Sequence, residues 1–154
     1  MTKNQKLTKP TSKHFYKARF MNQRKKHFPT RTVAFDVDGT LLLYPEDLDM
    51  IEEQFAFQPG IREFRFEPLN LIFNLIPHTQ NINELKSYYN KGFEVIVWSA
   101  GSKEWAQAAV TQLGLNGYVD VVTTKPEVYV DDLDVTEWMG VRHFLTYKPG
   151  GEEE

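Results

Sequence analysis

Val33-Ala34-Phe35-Asp36-Val37-Asp38-Gly39-Thr40-Leu41-Leu42 decides how the rest of the chain is read. An apolar, β-prone run ends in two carboxylates, a glycine and a threonine. Burying an unpaired carboxylate costs on the order of several kcal/mol, comparable with the whole stability of a small domain. A strand tip with two of them therefore calls for a cation, and a hard divalent ion held by oxygen is the natural candidate. Alternate strand residues face the same way, so Asp36 and Asp38 can address one site, with Gly39 permitting a sharp turn behind them. The bland alternative is an ordinary acidic turn, where Asp and Gly are common.

Three later segments follow a similar plan. Phe93-Glu94-Val95-Ile96-Val97-Trp98 leads into Ser99, Lys125 stands before Pro126, and Val128-Tyr129-Val130 runs into Asp131-Asp132. In type and order these residues resemble the four motifs of the haloacid dehalogenase (HAD) superfamily, whose first motif reads Asp-x-Asp-Gly-Thr. The resemblance covers roughly residues 32–146. Each short motif alone matches easily by chance; four in order are far more specific.

The resemblance implies an α/β, Rossmann-like, three-layer HAD fold with a parallel sheet and a small β-hairpin insertion after the first strand. It implies that Asp36 is a nucleophile that becomes an aspartyl phosphate. Asp38 would be the general acid and base, with Thr40 helping to orient it. Ser99 and Lys125 would grip the phosphoryl oxygens, with Ala100 beside them in the substrate site. Asp36, Asp131 and the backbone carbonyl of Asp38 would hold Mg2+, which prefers octahedral oxygen ligation and keeps several waters. Taken singly, Ser99 also reads as a helix N-cap and Lys125 as a solvated loop lysine. Whether Asp132 or His78 joins the site is open.

The 154 residues suit one domain, which at this size buries about two-thirds of its extended surface. With 41% hydrophobic and 14% aromatic residues the core is ordinary. The absence of cysteine excludes a disulfide framework or thiolate metal site and is consistent with a cytoplasmic location. No apolar run approaches the roughly 20 residues of a membrane span, and no signal peptide is visible.

Charge divides the chain. Residues 1–31 hold ten of the 18 Lys and Arg and no acid, the first being Asp36. The remainder has eight basic residues against 21 acidic ones, a net charge of −13. This basic N-terminal arm also carries His14, Phe15, Tyr16, Phe20, His27 and Phe28. Cations interleaved with aromatics suit nucleic-acid contact through phosphates and stacked bases. A solubilising tail, or an arm folded onto the acidic body, fits the same composition. Residues 149–154 form a short acidic C-terminal tail.

The coarse architecture places a HAD-like domain over residues 32–148. Strands are expected at 32–37, 93–98, 119–122, 128–130 and 141–145. Residues 41–78 form the insertion, a small cap or flap in which Phe55, Phe57, Ile61, Phe64 and Phe66 with a Pro59-Gly60 turn predict a hairpin. Residues 69–76 are a further strand or a packed connector. Asn81-x-x-Glu84 predicts a helix start and Gly92 its stop. A helix from Lys103 to Leu113 ends at Gly114, and a short one passes through Trp138-Met139. Alternating strands and helices imply a parallel sheet, with its site beyond the carboxyl ends of the strands.

The insertion is too short for a large helical cap, so a flap leaves the site open to bulky substrates such as polymer ends. His78, just before the helix, would line the pocket or simply be solvated. Within the superfamily, Trp98-Ser99-Ala100-Gly101 and Val130-Asp131-Asp132 look like the small-capped phosphatases. The phosphatase domain of polynucleotide kinase-phosphatases and the carboxy-terminal-domain phosphatases are both similar in outline. Gly101 replaces an Arg of the first pattern, Gly39-Thr40 replaces the second acid step of the other, and Lys125 lies only six residues before Asp131. The resemblance thus implies a magnesium-dependent phosphomonoester hydrolase acting on nucleotides, nucleic-acid ends or other phosphorylated substrates. The alternative is a non-catalytic accessory protein on the same fold that binds nucleic acid or protein.

Overall fold

The computed structural model describes residues 31–50, 60–140 and 143. The chain divides into two compact units, and among these residues the smaller unit holds 130–140. The basic arm, Phe55, Phe57 and Pro59, and all of the expected last strand except His143 lie outside the described residues.

The larger unit is mixed α/β, built on two small sheets. Strand β1 (Thr32–Asp36) is followed by β2 (Leu42–Leu43), β3 (Arg62–Phe66) and β4 (Leu71–Pro77). Helix α1 (Thr79–Asn90), β5 (Glu94–Ser99), α2 (Lys103–Gln112) and β6 (Val121–Thr124) complete it. The first sheet is parallel, in the order β1-β5-β6, and the second is antiparallel, in the order β2-β4-β3. Parallel neighbours need crossover connections, and α1 and α2 lie in the chain where those crossovers are required; both pack on β5.

Local chemistry explains the helix ends. Ser102 caps α2 by accepting the Trp105 N–H at 3.0 Å. Both helices stop in a Schellman turn. After α1, Phe93 N–H reaches Tyr88 O at 3.1 Å and Gly92 N–H reaches Tyr89 O at 2.9 Å, with Gly92 at φ +83°. After α2, Leu115 N–H reaches Val110 O at 2.9 Å and Gly114 N–H reaches Thr111 O at 3.1 Å. Leu115 is fully buried, so the turn also returns the chain to the core.

Among the described residues a hairpin pairs β3 with β4, and its turn lies at Glu67–Leu69 with Asn70 in the left-handed region at φ 49°. Asn tolerates that conformation better than most residues. The expected turn at Pro59-Gly60 runs into residues outside the described ones. Residues 69–76 supply the hairpin's second strand. The hairpin is joined to the rest of the unit. Phe64 and Leu75 sit in the same core cluster as Phe35, Val97 and Trp105. Each such buried side chain contributes about 2–3 kcal/mol. On the edge of β3, the Gln112 side-chain amide behaves like a neighbouring strand. It accepts Arg65 N–H at 2.8 Å and donates to Arg65 O at 2.8 Å.

Residues 128–130 do not form the expected strand. Val128 and Val130 are 80% and 100% exposed, and β6 ends the parallel sheet at Thr124. β-branched residues favour strands only where a packed neighbouring surface rewards them. In the smaller unit, helix α3 (Val135–Trp138) opens with a capping box between Asp134 and Glu137.

Candidate active site

The parallel register brings three strand ends level. Asp36 pairs with Trp98, the residue before Ser99, and Ser99 pairs with Thr124. Lys125 N–H then donates to Ser99 O at 2.9 Å, extending the ladder by one bond. Asp36, Ser99 and Lys125 therefore emerge together at the carboxyl edge of the sheet, the usual place for a site in parallel α/β architecture.

A tight turn delivers Asp38. The Val37 carbonyl accepts the N–H groups of Thr40, Leu41 and Leu42 at 3.2, 2.9 and 3.0 Å. Gly39 lies at φ +78°, which L side chains rarely adopt. The turn is tied down from outside. His78 N–H donates to Leu41 O at 2.9 Å, and Asn81 Nδ2 donates to Thr40 O at 2.9 Å. Thr40 thus helps to hold the turn through its main chain.

Asp36 is under electrostatic tension. Its side chain is 30% exposed, and its pKa is raised above the ordinary carboxylate value. Burial is the main cause and the nearby Asp38 charge adds to it; the Lys125 ammonium and the Val37 N–H act in the opposite direction. Lys125 Nζ stands 3.9 Å from Asp36 Oδ1, the outer limit of an ion pair.

Asp38 is surrounded by donors instead. Tyr44 Oη donates to Oδ1 at 3.0 Å. Trp105 Nε1 is shared between Oδ1 at 3.1 Å and Oδ2 at 3.3 Å. Ser99 Oγ donates to Oδ2 at 3.3 Å and itself accepts Gly101 N–H at 3.0 Å. Burial and the Asp38 carboxylate push the Tyr44 hydroxyl up to about 12, so it stays protonated as a donor. Ser99 is fully buried and Ala100, next to it, is exposed.

Sequence reasoning missed Tyr44 and Trp105. The available signal was chemical: a buried indole N–H normally finds a partner. His78 neither lines an open pocket nor sits in solvent. It is 1% exposed and caps α1, its Nδ1 accepting Asn81 N–H at 3.2 Å. Burial lowers its pKa. Asp131 and Asp132 belong to the smaller unit, where Asp131 Oδ1 accepts Leu133 N–H at 3.0 Å in a local turn.

Among the described residues, no three His, Asp or Glu side chains gather as a metal-binding group. The fit to Mg2+ rests on Asp36. Its charge is penalised by burial and only distantly met by Lys125, and magnesium commonly takes one or two carboxylates, with waters and substrate phosphate completing its shell. A half-buried carboxylate, a second carboxyl group supplied with hydrogen bonds, a hydroxyl and an ammonium are groups of the kinds that can attack, protonate and hold a phosphoryl group. No protein family, curated protein or solved structure matches this chain. Among the described residues, no helix is long and apolar enough to cross a membrane.

Proposed function

We propose that the protein is a magnesium-dependent phosphomonoester hydrolase of the haloacid dehalogenase type, working through an aspartyl phosphate on a Rossmann-like, three-layer fold. The observation that carries this reading is the convergence of Asp36, Asp38, Ser99 and Lys125 at the carboxyl edge of one parallel sheet. They come from three separate segments, and a structural role for any one of them would not require the other three.

In this mechanism an Asp36 oxygen attacks phosphorus while Asp38 gives a proton to the departing ester oxygen. Water then attacks the aspartyl phosphate, Asp38 takes its proton, and phosphate and the free Asp36 carboxylate are restored. Lys125 and the Ser99 hydroxyl meet charge on the phosphoryl oxygens, with the chain at Ala100 alongside. Asp36, the Asp38 carbonyl and Asp131 would hold Mg2+, which supplies charge neutralisation. The basic arm would bring in a polyanionic substrate such as a nucleic-acid end, and the lack of cysteine suits the cytoplasm.

Hydrolysis of an aryl phosphate, measured with and without magnesium, tests the reading. The wild type turns over only with the metal, and Asp36→Asn loses several orders of magnitude. An Asp36→Asn variant that keeps more than about a tenth of the activity, only ~1.4 kcal/mol of barrier, excludes Asp36 as nucleophile.

A further inference from the structure

We infer that Trp105 and Tyr44 are positioning residues that hold Asp38 by its Oδ1 and leave Oδ2 to carry the transferred proton, with the hairpin acting as the buttress that sets Trp105. The inference rests on the hydrolase reading above and adds to it which oxygen works and what aims it.

Each oxygen takes two donors, and the closer pair is on Oδ1. Oδ1 takes Tyr44 at 3.0 Å and the shorter arm of the indole at 3.1 Å; Oδ2 has the longer arm and Ser99, both at 3.3 Å. A carboxylate oxygen offers about two lone-pair sites, so both oxygens are filled here, and the difference arises when one donor leaves. The Ser99 hydroxyl is the donor that can be given up, because a phosphoryl oxygen reached from the edge of the sheet is a more strongly charged acceptor. Once Ser99 turns to substrate, Oδ2 is the less restrained oxygen. Its proton passes to the ester oxygen as the phosphorus–oxygen bond breaks, and it later receives a proton from the attacking water.

The aim of the indole is itself fixed. Trp105 is 7% exposed, and its ring meets Phe66 edge-on at 5.9 Å and Phe73 at 5.2 Å. Both phenylalanines belong to the hairpin, which Gln112, seven residues along α2, pairs to its β3 edge through Arg65. One face of α2 therefore fastens the hairpin and presents the N–H to Asp38. The β3–β4 hairpin thereby supports the acid–base group.

The test compares two esters and reads the contact directly. In Trp105→Phe and Tyr44→Phe, kcat/KM for an alkyl phosphate, whose poor leaving group needs the proton, should fall by about tenfold or more. The value for dinitrophenyl phosphate, which departs without help, should stay within about twofold. Tyr44→Phe removes only a hydroxyl and serves if Trp105→Phe fails to fold. The Trp105 indole N–H resonance should move upfield in Asp38→Ala, which removes its acceptor. Equal losses on both esters in an active enzyme overturn the positioning role and leave the hydrolase reading standing. An unmoved indole resonance overturns the contact. A wild type inert on both esters overturns the hydrolase reading, and with it any role for the contact in proton transfer.

Discussion

Replacing Asp36 with Asn should make the protein more stable while removing its chemistry. The carboxylate is partly desolvated, and Asp38 adds a like charge nearby. The opposing partner, Lys125, is 3.9 Å away with a side chain 47% exposed, where a pair in a water-like dielectric is worth only about 1 kcal/mol. The raised pKa means that desolvation and repulsion outweigh that attraction. An amide of nearly the same shape carries no charge to desolvate. The expected change is a rise in Tm, with each kcal/mol gained worth ~2–4 °C for a chain of this size. Thermal unfolding followed by circular dichroism at neutral pH, without divalent ions, measures it. The sign of the pH dependence is fixed as well. With its folded pKa above the unfolded value of 3.8, Asp36 costs stability when ionised, so the advantage of Asp36→Asn should shrink as pH falls through the folded pKa. Added magnesium should stabilise the wild type and not the variant. An Asp36→Asn protein less stable than wild type at neutral pH would refute the reasoning, because it would mean that the protein itself satisfies the charge.

Three further expectations concern the metal ligands, His78 and the basic arm. Asp131→Ala should weaken magnesium binding by calorimetric titration whereas Asp38→Asn should largely keep it, since only the Asp38 carbonyl would ligate; equal loss contradicts that division of roles. Burial holds His78 below its ordinary 6.5, so stability against denaturant should be full above that value and decline as pH falls from it toward the folded pKa; His78→Asn, still able to cap α1, should flatten this slope. Deleting residues 1–28 should leave turnover of a small aryl phosphate within about twofold while raising KM for a phosphorylated oligonucleotide and flattening its salt dependence; loss of both activities together would assign the arm a structural role.

What could be read from the sequence was local. Gly92 and Gly114 mark helix stops because a left-handed residue is needed one step past each helix end. β1 and β5 are legible because an apolar run with a polar tip has one sensible reading. The errors came where a partner distant in sequence decided the outcome. α1 begins at Thr79, ahead of the Asn81-x-x-Glu84 pattern, because buried His78 took the cap. Residues 69–76 became a strand and not a connector because Phe64 and Leu75 reach the core together, which an alternating run of phenylalanines does not specify. Val128, Tyr129 and Val130 have strand composition but no ladder. In the site, Asp36, Asp38, Ser99 and Lys125 stood out as motif residues. Tyr44 and Trp105 did not, because the contact that gives Trp105 its meaning joins residues 67 apart in sequence.

The proposed reaction passes through a covalent bond to Asp36, and Asp38→Asn offers a way to trap it. With dinitrophenyl phosphate as substrate the first step needs no proton donor, whereas the second still needs a base that the amide cannot provide. The aspartyl phosphate should therefore accumulate in Asp38→Asn with magnesium present. Acid quenching and mass analysis of the peptide containing Asp36 should find one added phosphoryl group there, absent when Asp36→Asn is introduced as well. Continued hydrolysis by Asp38→Asn with no phosphoryl group on that peptide would contradict the account and point to direct attack by water.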